Sequence, residues 1–426
     1  MTPIPRRTFL LSGVALAAGA AHLQPPRLET LTEWLQATPT ERAAATVRCL
    51  ERIRTMDPDI QAWVQVSVQL PTGKGPLLEI PFGAKDILET RGLATEYGSP
   101  IYKGRVGTSD AAIVGELRRR GAVLFGKTHT TAFAYRTPAP TRNPRNLAHT
   151  PGGSSSGSAA AVAAGMVPFA IGTQTGGSML RPASFCGVTG FKPTYGLLPM
   201  EGVFPFAKSL DTLGFFTHTA ADMLQLWDAL DHSTGRAEET PFAAPDPLPE
   251  LEPTMAAAFR STIARLRQRG VEIRAIDIAE WLSRVGDAQR VVMFYEGARH
   301  HEDRFKQYGD RLQDMATLVR EGLQITEARY NEARRFIAES KRKVAEYYRA
   351  TPVILVPAAL GPAPRGLSST GDSRMNTPWT ALGTPAISVP MPVGDALPLG
   401  LQLTANAGDD ARVIRAAMRV ESLLAS

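Results

Sequence analysis

Residues 151–199 read PGGSSSGSAAAVAAGMVPFAIGTQTGGSMLRPASFCGVTGFKPTYGLLP, nearly fifty residues of glycine, serine and alanine around one short apolar run. Glycines at 152, 153, 157, 172, 176 and 177 allow tight turns and close approach of a ligand to the backbone, so that amide groups can aim at one spot. Amides converging on a point form a site for a developing negative oxygen. A single GGS is ordinarily a capping loop. Two of them, at 152–154 and 176–178, separated by a small-residue helix and a strand, ask for more than capping.

Two shorter motifs compete with this block. Residues 121–128, GAVLFGKT, fit the phosphate-loop pattern letter for letter. Their middle residues are bulky and apolar, which suits a buried strand and not a flexible phosphate cradle. Residues 153–157, GSSSG, fit a nucleophile elbow and nominate Ser155. An elbow is entered from a strand, whereas residues 141–151 carry two prolines, two asparagines and no apolar run. The histidines that follow, His218, His232, His300 and His301, have no distinctive setting.

Outward from the block, helices and strands alternate. Residues 40–56 have helical spacing, with Val47, Leu50 and Ile53 on one side and Asp57-Pro58 as the stop. Residues 110–120 predict a second helix leading into a strand at 122–125, and 255–269 a third leading into 271–276. Residues 327–348 keep helical period; 353–356, 386–389 and 399–403 read as strands, and 409–424 as a closing helix. The alternation points to an α/β fold, helices layered around a mixed sheet. With no long polar linker, residues 24–426 read as a single catalytic domain.

Composition narrows the function. The 426 residues carry 47 Lys plus Arg against 41 Asp plus Glu, are 43% hydrophobic, and contain 37 Gly and 33 Pro, which excludes collagen-like and wholesale disordered chains. The basic residues form no stripe, so no nucleic-acid partner is expected. Two cysteines, Cys49 and Cys186, build neither a disulfide framework nor a zinc site, and their apolar settings read as buried free thiols. Nothing resembles a metal-ligand cluster, and neither metal nor organic cofactor is expected.

Residues 1–23, MTPIPRRTFLLSGVALAAGAAHL, read as an export signal: Arg6 and Arg7, an apolar run, then small residues suited to cleavage near Ala20 or Ala21. The pair followed by Thr8, Phe9 and Leu10 resembles a twin-arginine signal, which implies passage through the export machinery and a periplasmic protein. The apolar stretch of about 15 residues falls short of the ~20 of a membrane span, so no stable membrane insertion is expected after cleavage.

At the level of motifs the chain resembles the amidase signature family. Besides the central block, IPFGAKDI at 80–87, TRNPRNLAHTPGG at 141–153, SLDTLG at 209–214 and LPLGLQLTA at 397–405 resemble family segments in order. Coverage runs from about residue 30 to the C terminus, weakest over a helical, substrate-side region at about 235–350. The resemblance implies a mixed β-sheet core covered by helices on both faces. It also implies a Ser, cis-Ser, Lys triad, placed here on Ser178, Ser154 and Lys85, with the backbone N–H groups of Thr175, Gly176, Gly177 and Ser178 as oxyanion donors.

The implied activity is hydrolysis of a small-molecule carboxylic amide through a Ser178 acyl-enzyme. Ser154 would relay the proton to Lys85, a lysine that can act as base only when burial keeps it neutral. An esterase using Ser155, or a periplasmic amide-binding protein without turnover, are the alternatives. Export disfavours the family's tRNA-dependent amidotransferase subunits. The chain departs from the family pattern at Gln174, at Leu180 and Arg181, and at Glu79 and Ala132, which leaves the hydrogen bonds around the site open. Tyr330, Met375 and Trp379 are candidate pocket walls, with ordinary packing the favoured reading for each. Substrate identity and oligomeric state are not written in the sequence.

Overall fold

Eleven strands share one sheet in the computed structural model, which describes residues 28–236 and 240–425. The expected export segment, 1–23, lies outside the described residues. In chain order the strands are β1 (Trp63–Gln69), β2 (Pro81–Lys85), β3 (Val123–Thr128), β4 (Phe169–Gln174), β5 (Thr189–Lys192) and β6 (Thr212–Thr217), then β7 (Phe242–Pro245), β8 (Ile273–Ile276), β9 (Val353–Pro357), β10 (Ala386–Pro390) and β11 (Gly400–Ala405). Their order across the sheet is β1-β3-β2-β4-β6-β5-β10-β11-β9-β7-β8. The pairs β3–β2, β2–β4, β9–β7 and β7–β8 run parallel and the remaining neighbours antiparallel, so the sheet is mixed.

The helices are α1 (Leu31–Gln36), α2 (Pro39–Ile60), α3 (Ala112–Arg119), α4 (Ser156–Ala163), α5 (Leu180–Cys186) and α6 (Ala220–Ala229), then α7 (Pro253–Gln268), α8 (Ala279–Tyr308), α9 (Asp314–Leu323), α10 (Glu327–Ala350), α11 (Thr377–Leu382) and α12 (Asp410–Ala425). Helices α4 and α5 pack together against the sheet, and α6, α12 and α1 form another group against it, so helices cover both faces. Strands enclosed from both sides read as unbroken apolar or small-residue runs rather than alternating ones. Every residue of β9 (VILVP) and of β4 (FAIGTQ) is buried, whereas edge strand β1 exposes Val66 and Val68.

Two expectations are corrected. Helix α2 passes through Asp57-Pro58 to Ile60, because a proline in the last turn forfeits a single N–H while the stop is set by Gln61, left-handed at φ 55° with its N–H on the Asp57 carbonyl at 2.7 Å. Its inward side is Ala45, Cys49, Ile53 and Ile60, and Val47 points to solvent with 66% of its surface exposed. The 235–350 region is also not purely helical: besides the expected strand at β8 it contributes β7, and the two continue the sheet beyond β9.

Helix α4, SGSAAAVA, is enclosed along almost its whole length, which is why it is built of small residues. At Gly157 a Cβ would lie 2.1 Å from the Ala62 carbonyl oxygen and 2.4 Å from the His129 nitrogen. Alanine normally stabilises a helix by about 1 kcal/mol over glycine, but here the contact is with backbone that cannot swing aside. Gly157→Ala is therefore expected to destabilise the protein by about 1–3 kcal/mol in urea denaturation; an unchanged or higher midpoint would contradict this packing.

Candidate active site

The carboxyl end of β2 carries Lys85, and its parallel pairing with β4, Ala84 opposite Ile171, brings Thr173 alongside. Lys85 is fully buried, with Nζ 2.7 Å from Ser154 Oγ and 2.7 Å from Thr173 Oγ1. No carboxylate hydrogen-bonds to it among the described residues. Burial disfavours the ammonium and drives the pKa well below the ordinary 10.5, only partly opposed by the negative charge of Asp211. A neutral amine can donate to Thr173 and turn its lone pair to Ser154.

Ser154 follows a cis peptide bond from Gly153. The Gly153 carbonyl is held by Arg181, whose Nη2 donates to it at 2.7 Å while Nε donates to the Thr370 carbonyl at 2.7 Å. Burial lowers the Arg181 pKa to about 10, which leaves it charged at neutral pH.

Ser154, Thr175, Gly176, Gly177, Ser178 and Arg181 line one cavity of about 990 Å³, so the two serines and the 175–178 backbone nominated from the sequence face a common space. The turn between β4 and α5 is held by several side chains. Asp211, from the SLDTLG segment, accepts from Thr175 Oγ1 at 2.6 Å and from the Phe206 and Ala207 N–H groups, and burial raises its pKa to about 6. Gln174 Oε1 accepts from Met179 and Leu180 N–H, and Gln289 Nε2 donates to the Thr175 carbonyl. The far walls include Tyr135, Phe206, Leu282, Met293, Phe294, Met375 and Trp379. Met375 and Trp379 do serve as walls, whereas Tyr330 stacks on Tyr295 at 4.0 Å and donates to Glu296.

Competing motifs fall elsewhere. Ser155 is buried with Oγ bound to both the carbonyl and the N–H of Thr173 at 3.2 Å, and no histidine hydrogen-bonds to it among the described residues. Lys127 of the phosphate-loop pattern lies in β3, buried, donating to the Leu88 carbonyl and facing Asp86 at 3.6 Å. Cys49 and Cys186 are buried free thiols, with burial pushing Cys186 up to about 12. Thr173, Asp211, Gln289 and Thr380, whose Oγ1 donates to the Gly176 carbonyl at 2.7 Å, are site residues for which the sequence reading assigned no role. Asp211 and Thr173 at least stood inside segments resembling the family; Thr380 carried no such signal.

Residues 44–414 match the family model described as Amidase. A glutamyl-tRNA(Gln) amidotransferase subunit of Thermotoga maritima is 31% identical, over 92% of this chain and 94% of the relative. A solved structure described as an amidase superposes with a TM-score of 0.82 at 26% identity, covering 93% of this chain and 100% of the other. The crystal structure of a Thermotoga maritima glutamyl-tRNA(Gln) amidotransferase subunit superposes with a TM-score of 0.80 at 28% identity, covering 94% and 96%.

The ionisation of Lys85 makes a stability prediction. Unfolded, the side chain binds a proton at every pH below the ordinary 10.5; folded, it releases it at much lower pH. The folded state therefore gains stability as pH rises through that interval. In urea titrations between pH 7 and pH 10, the stability difference between wild type and Lys85→Met is expected to move steadily in favour of wild type. A difference independent of pH would mean that Lys85 is charged in the fold.

Proposed function

Since the chain belongs to the amidase family and is an amide hydrolase, we propose that Ser178 is its nucleophile, Ser154 its proton relay and Lys85 its base. The observation that carries this reading is the buried Lys85 amine 2.7 Å from Ser154, in the wall of the cavity that Ser178 lines. A serine hydroxyl must lose its proton as it attacks. Ser178 Oγ adds to the amide carbon, its proton passes to Ser154 and the Ser154 proton to Lys85. The carbonyl oxygen takes up negative charge opposite the backbone N–H groups of residues 175–178. The C–N bond breaks as the relay returns a proton to the nitrogen, and an amine or ammonia departs. Water then repeats the relay to release the carboxylate.

The substrate is a small amide whose apolar portion suits the walls formed by Tyr135, Phe206, Met293 and Phe294. Relatives named as amidotransferase subunits support a second reading, in which the chain hands ammonia to a partner. The Arg6-Arg7 segment favours the free-standing enzyme, exported folded to the periplasm after twin-arginine targeting.

Two tests follow. A fluorophosphonate should label Ser178 covalently, detected by peptide mass spectrometry, and Ser178→Ala should lose labelling and cut release of amine from an amide panel by roughly 10⁴-fold or more. Ser155→Ala should still be labelled; labelling lost only there would support the esterase reading, and acylation without turnover the binding-protein reading. Activity should fall as pH drops and Lys85 takes up a proton, and an acid limb unaltered by Lys85→Arg would contradict its role as base.

Expressed as the full chain in a bacterial host with twin-arginine export, the protein should appear in the periplasm cut near Ala20 or Ala21. The double variant Arg6→Lys, Arg7→Lys should stay cytoplasmic and uncut. Equal partition of both to the cytoplasm would return the amidotransferase reading.

A further inference from the structure

In a trans peptide the carbonyl of one residue and the N–H of the next point in opposite directions. Whatever holds the carbonyl therefore aims the N–H. In the turn after β4, two successive carbonyls are held by side chains of other helices. Gln289 Nε2, from α8, donates to the Thr175 carbonyl at 2.8 Å, and Thr380 Oγ1, from α11, donates to the Gly176 carbonyl at 2.7 Å. The N–H groups that follow, those of Gly176 and Gly177, are turned away from Gln289 and Thr380. Neither they nor the Ser178 N–H has an acceptor among the described residues, and all three residues line the cavity.

The chemistry of the partners fixes each direction. A carbonyl only accepts, so the Gln289 group facing Thr175 must be its NH₂. Gln174 Oε1 accepts from the Met179 and Leu180 N–H groups at 2.8 and 3.2 Å, which can only donate; its NH₂ must then face Thr380 Oγ1, at 3.0 Å. With one lone pair of Thr380 taken by Gln174, its single proton is free for the nearer carbonyl, Gly176 at 2.7 Å rather than Asn376 at 3.4 Å. Gln174, Thr380 and Gln289 are all buried.

We propose that Gln289 and the Gln174–Thr380 pair are positioning residues, which rotate the 175–176 and 176–177 peptides so that two N–H groups meet the substrate oxygen as it becomes anionic. The inference rests on the reading of Ser178 as nucleophile and adds its consequence for substrate choice. Gln289 lines the cavity together with Gly286, Asp287, Arg290, Met293 and Phe294 of the same helix, α8. The helix that shapes the substrate space therefore also sets the donors that stabilise the transition state. A substrate that displaces α8 misaligns the Gly176 N–H and reacts slowly even when it binds well.

The experiment uses the purified full chain and a fluorophosphonate, whose phosphoryl oxygen occupies the position of the oxyanion. The variants are Gln289→Leu and Thr380→Val, which keep approximate size and remove the donor. Each is expected to slow the limiting rate of Ser178 phosphonylation by ~10- to 100-fold, the scale of a misplaced or lost oxyanion donor. The apparent dissociation constant of the probe should stay within about twofold, and the midpoint of the acid limb should not move, since the Lys85 relay is untouched. A merely structural role would lower the melting temperature and leave the limiting rate of the remaining folded protein unchanged. Limiting rates within about twofold of wild type in both variants, or losses confined to probe affinity, would overturn the proposal. Failure of the probe to label wild-type Ser178 would instead overturn the nucleophile assignment beneath it.

Discussion

A buried amine 2.7 Å from two hydroxyls, with no carboxylate hydrogen-bonded to it among the described residues, is the constraint on which the site depends. Removing an ammonium from water costs more than two neutral hydroxyl partners return, so burial drives the Lys85 pKa well below its ordinary value. The sheet makes that enclosure possible. Lys85 ends a strand flanked on both sides by parallel neighbours, and the small-residue helix α4 and the turn after β4 close around it. The glycines of the central block matter because side chains there would hold these segments apart, as Gly157 shows against Ala62 and His129.

Around that amine, charge and neutrality are divided between groups. Arg181 remains a cation although buried, and spends its donors on the Gly153 and Thr370 carbonyls, fixing the loop that presents Ser154. Asp211 is buried too, yet three donors meet it, so its carboxylate can be retained near neutral pH and brace Thr175. Neutral groups, Gln174, Thr380 and Gln289, fasten the turn itself. A brace of neutral amides and a hydroxyl holds its geometry across the pH range in which Lys85 changes state.

Much of this was legible in the sequence, for identifiable reasons. The strands at 353–356, 386–389 and 399–403 announced themselves as apolar runs, and the segments around Lys85, Ser154 and Ser178 carried motifs that resemble a family. The phosphate-loop pattern could be set aside on the bulk of its middle residues, and β3 is indeed a buried strand. Less visible were interactions made by isolated polar residues on distant elements. Gln289 lies in a thirty-residue helix with no motif, and Thr380 in a six-residue one. Their roles arise only when the fold places them against the carbonyls of residues 175 and 176. Pro58 misled for the opposite reason: a strong local signal was overridden by a cap three residues later.

The protonation of Lys85 can be observed directly by carbon NMR of protein labelled at lysine Cε, with the Lys85 resonance assigned by its loss in Lys85→Met. At pH 7 the account predicts a resonance with the shift of a neutral amine, which moves to the ammonium position only on acidification. A Lys85 resonance that stays at the ammonium position until pH approaches 10.5 would contradict it.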